Sequence, residues 1–237
     1  MIHVEGKYCM EVGSLTVVPT PVGNLGDITL RGVQVLREAD LIACEDTRVT
    51  GKLLKHLEIS GKRLISLHAH NEKRRVEELI QMMESGGHIA LVSDAGTPGL
   101  SDPGSILIAG AIRSAIPVEV LPGANAVVPA LIGSGLQTRP ALFEGFLPQK
   151  KGRQTRLREL TGIVATIILY ESPHRLLKLL REINEHFGGE TKVVVVREIS
   201  KIHEEYARGT VVELIAEFEG RASIKGEIVV LVGRAES

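Results

Sequence analysis

Three segments rich in glycine, proline and hydroxyl residues carry the clearest chemical signal in this 237-residue sequence. Each directly follows a short apolar run typical of a buried strand, and they span 19–27, 93–104 and 121–126. The second, SDAGTPGLSDPG, has twelve residues, whereas a strand usually needs only about two to six residues to reach the next helix. Small residues let a ligand approach the backbone, and the Asp94 carboxylate can accept hydrogen bonds from an ammonium or hydroxyl group. We therefore interpret 93–104 as a binding loop, whereas rigid turns alone also explain the other two segments.

Charged residues follow two further predicted strands. The motif ESPHR comes after an apolar run and opens a helix, so that Glu171 could act as a general base and Arg175 could hold a phosphate or polarise a hydroxyl group. The alternative for this pair is an ion pair at the start of the helix. Lys201 follows the next strand, and burial in a cleft can lower the pKa of a lysine until it acts as a base. We take these three residues as catalytic candidates.

The segment 149–158 is strongly basic. Its five cations, with no carboxylate among them, are Lys150, Lys151, Arg153, Arg156 and Arg158. Such runs are commonly solvated helix faces, but one beside a cleft can bind phosphates with an affinity that falls as salt rises. The net charge of the whole chain is only −1, which argues against nucleic-acid binding through the overall electrostatic field but still allows a local basic patch.

Several familiar sites are excluded. No strand is followed by GxGxxG, and GxxxxGK[ST] does not occur, so a Rossmann dinucleotide enzyme or a P-loop NTPase is not expected. Aromatic residues make up only 3% of the chain and tryptophan is absent, which argues against the base-stacking modules of the RRM and OB types. Two cysteines without a CxxC pair build neither a disulfide framework nor a zinc site.

Other polar residues have structural explanations. Asp27, Asp46 and Asp102 each stand near the predicted start of a helix, where an aspartate caps free backbone N–H groups. His68 and His70 share one side of a strand, but two ligands without a third make a weak metal site, and we predict no metal.

Short apolar runs alternate with helical patterns from residue 15, which predicts a parallel sheet covered by helices on both faces. After a turn-rich stretch, a second series of strands and helices begins. We expect an α/β protein of two α/β domains, 14–137 with a mostly parallel sheet and 138–237 with a mixed sheet, preceded by a loosely attached 1–13. No apolar run is long enough to span a membrane and no signal-peptide core is present, so we expect a cytoplasmic protein.

The order and spacing of these segments resemble the tetrapyrrole-methylase superfamily. The motifs VVPTPVGNLGD, ALVSDAGTPGLSDPG, LFEGFLPQKKGR, YESPHR and VREISKIHEE are similar to the branch that methylates the ribose 2′-hydroxyl of a cytidine in small-subunit (16S) ribosomal RNA, over residues 15–233. The resemblance implies S-adenosylmethionine as cofactor, bound in a cleft between the two domains, and a homodimer. It departs from the branch at Ala124-Asn125 and at Arg139.

The resemblance also implies residue roles. The implied cofactor contacts are Leu25, Asp94, Gly96, Thr97, Leu100, Asn125, Ala126 and Tyr170. The implied RNA contacts are Lys150, Lys151, Arg153 and Arg156. Methyl transfer to an alcohol requires alignment of the reacting atoms and removal of a proton, tasks for which Glu171, Arg175 and Lys201 remain the candidates. Two alternatives stay open: methylation of a precorrin-type tetrapyrrole, and a non-catalytic module that keeps the cofactor pocket.

Overall fold

The computed structural model describes residues 12–68 and 71–233. The predictions for His70 and for most of the 1–13 preamble therefore lie outside the described residues. Gly13, which ends that preamble, is buried and donates its N–H to Met83 O at 2.8 Å. None of the helices in the described residues is long and apolar enough to cross a membrane.

The described chain divides into two compact units. The first comprises 12–21 and 25–124, and the second comprises 22–24 and 125–233. The first unit ends earlier than the domain boundary expected at 137/138, because the helix at 127–134 packs with the second sheet. The domain limits given above stay a prediction.

The first unit contains a five-stranded sheet in the order β3-β2-β4-β1-β5, with every pairing parallel. Its strands are β1 (Ser14–Val17), β2 (Leu41–Cys44), β3 (Arg63–Ser66), β4 (His88–Val92) and β5 (Val118–Val120). Its helices are α1 (Leu30–Glu38), α2 (Thr47–His56), α3 (Glu72–Glu84) and α4 (Ser105–Arg113), with a short 3-10 helix at Leu25–Asp27. The parallel sheet predicted from the alternating pattern is confirmed.

Alternate residues of each central strand face opposite layers of helices. Leu15 and Ile89 lie in the cluster with α3 and α4, whereas Ile42 and Ala90 lie in the cluster with α1 and α2. The strands are therefore buried on both faces, which is why their sequences are apolar throughout rather than alternating. This arrangement leaves the carboxyl ends of the strands as the place where loops can gather.

Two of the three predicted helix caps are wrong. Thr29, not Asp27, caps α1 by accepting a hydrogen bond from Gly32 N, because a 3-10 helix occupies residues 25–27. Helix α4 begins only after Gly104, and the buried carboxylate of Glu72 on α3 accepts the N–H groups of Gly104 and Ile106 at 3.0 Å each. Asp102 stands before this point. The cap predicted at Asp46 is confirmed.

The second unit contains a mixed five-stranded sheet in the order β6-β7-β10-β8-β9, with β6 and β7 parallel and the other pairs antiparallel. Its strands are β6 (Ala141–Phe146), β7 (Thr166–Glu171), β8 (Lys192–Arg197), β9 (Glu205–Thr210) and β10 (Ile228–Val232). Its helices are α5 (Val127–Ser134), α6 (Arg153–Thr161), α7 (Leu176–Phe187) and α8 (Val211–Glu219), with a 3-10 helix at Pro173–Arg175. The mixed sheet is confirmed, but β9 and α6 were not predicted.

Helices cover both faces of this sheet as well. Helices α6, α7 and α8 pack on the face that carries Ile167 and Val195. Helix α5 packs with Ala130 on the opposite face, against Ile168 and Val229. The strongly apolar strands β7, β8 and β10 form the centre of the sheet, whereas β6 and β9 are its edges.

Candidate functional site

The loops of the first unit meet at the carboxyl edge of its sheet. Strands β4, β1 and β5 are neighbours, so the loops that follow them are adjacent. Thr20 and Gly96 exchange two backbone hydrogen bonds of 2.9 Å each, and Thr20 Oγ1 donates to Ser93 O at 2.9 Å. Thr97 Oγ1 donates to Ala124 O at 3.1 Å. We call residues 18–21, 93–100 and 121–124 the loop cluster.

Glycine is required at one point of the loop cluster. Gly96 has a φ of +78°, in the left-handed region, and its N–H and C=O both pair with Thr20. A side chain at this position would strain the backbone that joins the first loop to the second. Gly96 therefore permits the backbone conformation that pairs the second loop with the first.

Three carboxylates lie close together at the loop cluster: Asp94 belongs to it, and Glu45 and Asp46 lie beside it. Asp94 Oδ1 accepts the N–H of Asp46 at 3.0 Å. Burial raises the pKa of Asp94, and the neighbouring charge of Asp46 adds to that effect. Burial likewise raises the pKa of Glu45, with a further contribution from Asp94. By contrast, hydrogen bonds from Arg48 lower the pKa of Asp46 to about 2. Asp94 is thus a partly desolvated carboxylate, which gains most from a cationic or hydroxyl-bearing ligand.

The residues predicted to contact the cofactor are distributed over both units. The structure brings Asp94, Gly96 and Thr97 together in the loop cluster, with Leu100 further along the same loop and Leu25 exposed on the 3-10 helix. The other predicted contacts, Asn125, Ala126 and Tyr170, belong to the second unit.

Those three residues lie at the ends of two elements of the second unit. Asn125 Oδ1 accepts the N–H of Val128 at 2.9 Å at the start of α5, directly after Ala126. Tyr170 stands near the end of β7. Their role in cofactor binding stays a prediction.

A buried group of charges surrounds Glu171 in the second unit. Arg153 donates from Nε to Glu182 Oε2 at 2.8 Å and from Nη2 to Glu171 Oε2 at 3.2 Å. Glu171 Oε1 accepts from Arg175 Nε and from Ser172 N, each at 2.8 Å. The side chains of Arg153 and Glu171 are only 3% and 2% exposed. We call Arg153, Glu171, Arg175 and Glu182 the ionic cluster.

The geometry of the ionic cluster favours the ion-pair interpretation of ESPHR. Both oxygens of Glu171 accept hydrogen bonds, from three donors in all, and two of these donors are arginine side chains. Arg175 is one-third exposed, and its Nη1 and Nη2 atoms make no hydrogen bond to the described residues. Glu171 therefore orients Arg175, whose outer nitrogens remain available to an anion.

The basic segment is not the uniform cationic surface that its composition suggests. The side chain of Arg153 is buried in the ionic cluster and only 3% exposed, and its role as an RNA contact stays a prediction. Arg156 forms a two-pronged pair with Glu144 at 2.7 and 2.6 Å. Lys150 and Lys151 are exposed in the turn before α6. Arg158 is exposed as well, so these three cations are the members of the segment that remain open to a phosphate, and the two lysines are adjacent in the turn.

Lys201 is held between two carboxylates. Its Nζ lies 2.9 Å from both Glu198 Oε1 and Glu227 Oε2. Burial lowers the pKa of Lys201, but hydrogen bonds to Glu198 and Glu227 outweigh burial, and the net pKa is raised. The lowered pKa expected from the sequence is wrong. A β-carbon at Gly23 would lie 2.3 Å from Lys201 Cγ, so the glycine makes room for the lysine stem.

An aromatic group at the end of β6 was missed. Phe143 and Phe146 approach the ring of Tyr170 edge-on, with ring centroids 5.2 and 5.5 Å apart. The sequence signal was available, because FEGF places a glycine between two aromatics in a strand, a pattern typical of a β-bulge. Within the described residues, no three His, Cys, Asp or Glu side chains are grouped to hold a metal ion.

Comparison with known proteins places the chain in a family. The sequence model of the tetrapyrrole (corrin/porphyrin) methylases matches residues 14–215. The chain therefore belongs to this family, and the resemblance found in its motifs is confirmed. The match extends across the loop cluster and the ionic cluster alike.

Curated relatives and solved structures extend the comparison. The chain is 48% identical over 225 residues to the ribosomal RNA small subunit methyltransferase I of Synechocystis sp., covering 94% of this chain and 80% of the relative. It is 45% identical to the protein of the same name from Hydrogenobaculum sp., covering 93% and 95%. The fold matches the uroporphyrin-III C-methyltransferase of Thermus thermophilus complexed with S-adenosylhomocysteine, with a TM-score of 0.65, 18% identity and coverage of 93% and 97%.

Proposed function

We propose that the chain is an S-adenosylmethionine-dependent methyltransferase that modifies small-subunit ribosomal RNA, at the ribose 2′-hydroxyl of a cytidine. One observation carries this proposal. Relatives named ribosomal RNA small subunit methyltransferase I are 45–48% identical to this chain over 93–94% of its length. Membership in a methylase family supports the reaction class, and the cytidine 2′-hydroxyl rests on the motif resemblance.

The loop cluster fits the chemistry of the cofactor. Its small residues leave backbone groups open to a ligand, and the partly desolvated Asp94 suits a cation or a ribose hydroxyl. When bound, S-adenosylmethionine supplies a methyl group on a sulfonium, which is a good leaving group. The proposed cofactor contacts are Leu25, Asp94, Gly96, Thr97, Leu100, Asn125, Ala126 and Tyr170.

The ionic cluster supplies a cation for the substrate. Arg153 and Glu171 hold the guanidinium of Arg175 through a chain of hydrogen bonds. A fixed cation can bind a phosphate or stabilise an alkoxide that forms as a hydroxyl loses its proton to water. We assign Arg175 this task and Glu171 the task of positioning it. Lys201, with its raised pKa, serves as a cation rather than as a base.

Lys150 and Lys151 are the proposed phosphate contacts of the basic segment. Their replacement by alanine should make the plot of log affinity against log salt shallower by about 1.4, since each contact to a single strand contributes about 0.7. The matched control is Lys52→Ala with Lys55→Ala, which removes two exposed cations from α2. Equal slopes for wild type and the Lys150/Lys151 variant would remove the patch from the proposal.

We also propose a homodimer in the cytoplasm. The homodimer rests on the family resemblance, and the cytoplasmic location follows from ribosomal RNA as the proposed substrate. Light scattering on a sizing column tests the first: a mass of twice 25.6 kDa supports it, and a monomer contradicts it. Cell fractionation tests the second.

Transfer of a radiolabelled methyl group tests the reaction itself. Purified protein is incubated with labelled S-adenosylmethionine and either small ribosomal subunits or naked 16S ribosomal RNA, and the labelled nucleoside is then identified. Label in 2′-O-methylcytidine supports the proposal. Label in a uroporphyrinogen-type macrocycle, with none in RNA, would support the tetrapyrrole alternative. Cofactor binding by calorimetry without transfer to any substrate would support the non-catalytic alternative.

A further inference from the structure

The aromatic residues of this protein are few and unevenly placed. The chain has four Phe and three Tyr residues, and three of these seven form one contact group on the parallel strands β6 and β7. Phe143 and Phe146 both contact Tyr170 edge-on, at interplanar angles of 71° and 62°. Aromatic rings prefer such contacts, which fix the orientation of each ring.

A bulge in β6 creates this group. Phe143 pairs with Ile168, but Gly145 pairs with Leu169 and Phe146 with Tyr170, so one extra residue is inserted at Glu144. Without the bulge, Phe143 and Phe146 would point to opposite faces of the sheet, because side chains alternate along a strand. The insertion puts both rings on the face of Tyr170. Gly145 permits it, with a φ of +71°.

Phe146 is exposed although the bulge fixes its position. Its exposed fraction is 55%, whereas Phe143 and Tyr170 are half-buried behind it. The other large hydrophobic residues exposed in the described part of the chain are aliphatic. Phe146 therefore presents a supported planar surface at the end of an edge strand. A bulge that aims a side chain out of a sheet is common beside binding sites.

The surroundings of Phe146 indicate what binds to that surface. The exposed Lys150 and Lys151 follow within five residues, in the turn that leaves β6. A planar apolar ring next to cations matches a nucleotide with an unstacked base, since the ring takes the base and the cations take the phosphates.

We propose that Phe146 is a stacking platform for an unpaired nucleobase of the RNA substrate. The inference rests on the proposed function and deepens it, because it specifies that the bound RNA is single-stranded at this point. Stacking of a base on an aromatic side chain corresponds to about a tenfold change in affinity. Because stacking does not depend on charge, this contribution is independent of salt.

Replacement of Phe146 tests the proposal. The variants are Phe146→Ala, Phe146→Leu and Phe146→Trp, and the matched control is Val164→Ala, since Val164 is 56% exposed in the same unit. For each, we measure KM for small ribosomal subunits at several salt concentrations, and the Kd for S-adenosylhomocysteine by calorimetry. Phe146→Leu keeps an apolar contact with Tyr170 but removes the planar ring.

The expected result is a KM raised about tenfold by Phe146→Ala and Phe146→Leu at every salt concentration, with Phe146→Trp and Val164→Ala close to wild type. The Kd for S-adenosylhomocysteine should stay within about twofold. A raised Kd with an unchanged KM would assign the ring to the adenine of the cofactor and overturn the proposal. Wild-type KM in Phe146→Ala would overturn it as well. Failure of the proposed function can be distinguished from failure of this inference, because in that case the wild-type protein itself would transfer no methyl group to RNA.

Discussion

The loop cluster of the first unit and the ionic cluster of the second are held together by different kinds of interaction. Backbone groups dominate the first: Thr20 and Gly96 pair through their main chains. Side chains build the second, where Arg153 and Glu171 meet across 18 residues of sequence. The backbone conformation of the loop cluster requires glycine at only a few positions. In the ionic cluster, by contrast, each buried charge is stabilised by all of its partners, so the loss of any one of them is costly. The two clusters should therefore respond differently to substitution.

The largest effect is expected in the ionic cluster. Arg153→Met leaves Glu171 and Glu182 buried without their shared cation, and removal of one partner from a buried ion pair costs about 3–5 kcal/mol. Urea denaturation measures this as a loss in the free energy of unfolding. Lys151→Ala, an exposed change in the same segment, should stay within about 0.5 kcal/mol. Equal stability of Arg153→Met and wild type would show that the ionic cluster contributes little to folding.

A smaller effect is expected in the loop cluster. Alanine variants at two glycines, one inside the cluster and one outside it, distinguish the effect of backbone strain from the effect of a lost ligand contact. Gly96 and Gly61 have nearly equal φ values, +78° and +73°, so alanine at either site should cost about 1–2 kcal/mol of stability. Only Gly96→Ala should also weaken the binding of S-adenosylhomocysteine, by about fivefold, because one lost hydrogen bond is worth about 1 kcal/mol. Calorimetry on both variants measures the Kd for S-adenosylhomocysteine and so tests this difference. Equal weakening by both would mean that strain, not position, controls binding.

The smallest effect concerns Asp94. Its pKa is raised from the ordinary 3.8, so ionisation of Asp94 costs more free energy in the folded protein than in the unfolded chain, and Asp94→Asn should leave the stability of the unliganded protein unchanged or raise it. Wild-type affinity for S-adenosylmethionine should fall as pH drops toward the raised pKa, while Asp94→Asn should be weaker at pH 7 by about tenfold and show a flatter profile. Parallel pH profiles would remove Asp94 from the cofactor contacts.

Most of the fold could be predicted from the sequence. Buried parallel strands such as β4 are apolar throughout, and the turns between strands and helices are marked by glycine and proline. Helix α6 was missed because its residues are mostly polar. Its buried side chains include Arg153, a residue type that is normally found at the surface. Strand β9 was missed because EYARGT is an edge strand with little apolar character.

The candidate site was predictable where the backbone determines it. The loop at 93–104 was recognisable from its composition, because positive-φ positions such as Gly96 and Gly99 require glycine. The roles of Arg153 and Lys201 were not recognisable, because each depends on carboxylates that the fold brings from other elements, such as Glu182 and Glu227. Sequence pattern alone gives the type of a charged residue but not its partner.

The buried carboxylate of Glu72 has a consequence for the loop that carries Asp94. By accepting the N–H groups of Gly104 and Ile106, it ties the far end of that loop to α3, while Gly96 ties the near end to Thr20. A segment secured at both ends has already lost most of its conformational entropy on folding. A ligand that binds it therefore meets a preorganised surface and spends little of its binding free energy on ordering the chain.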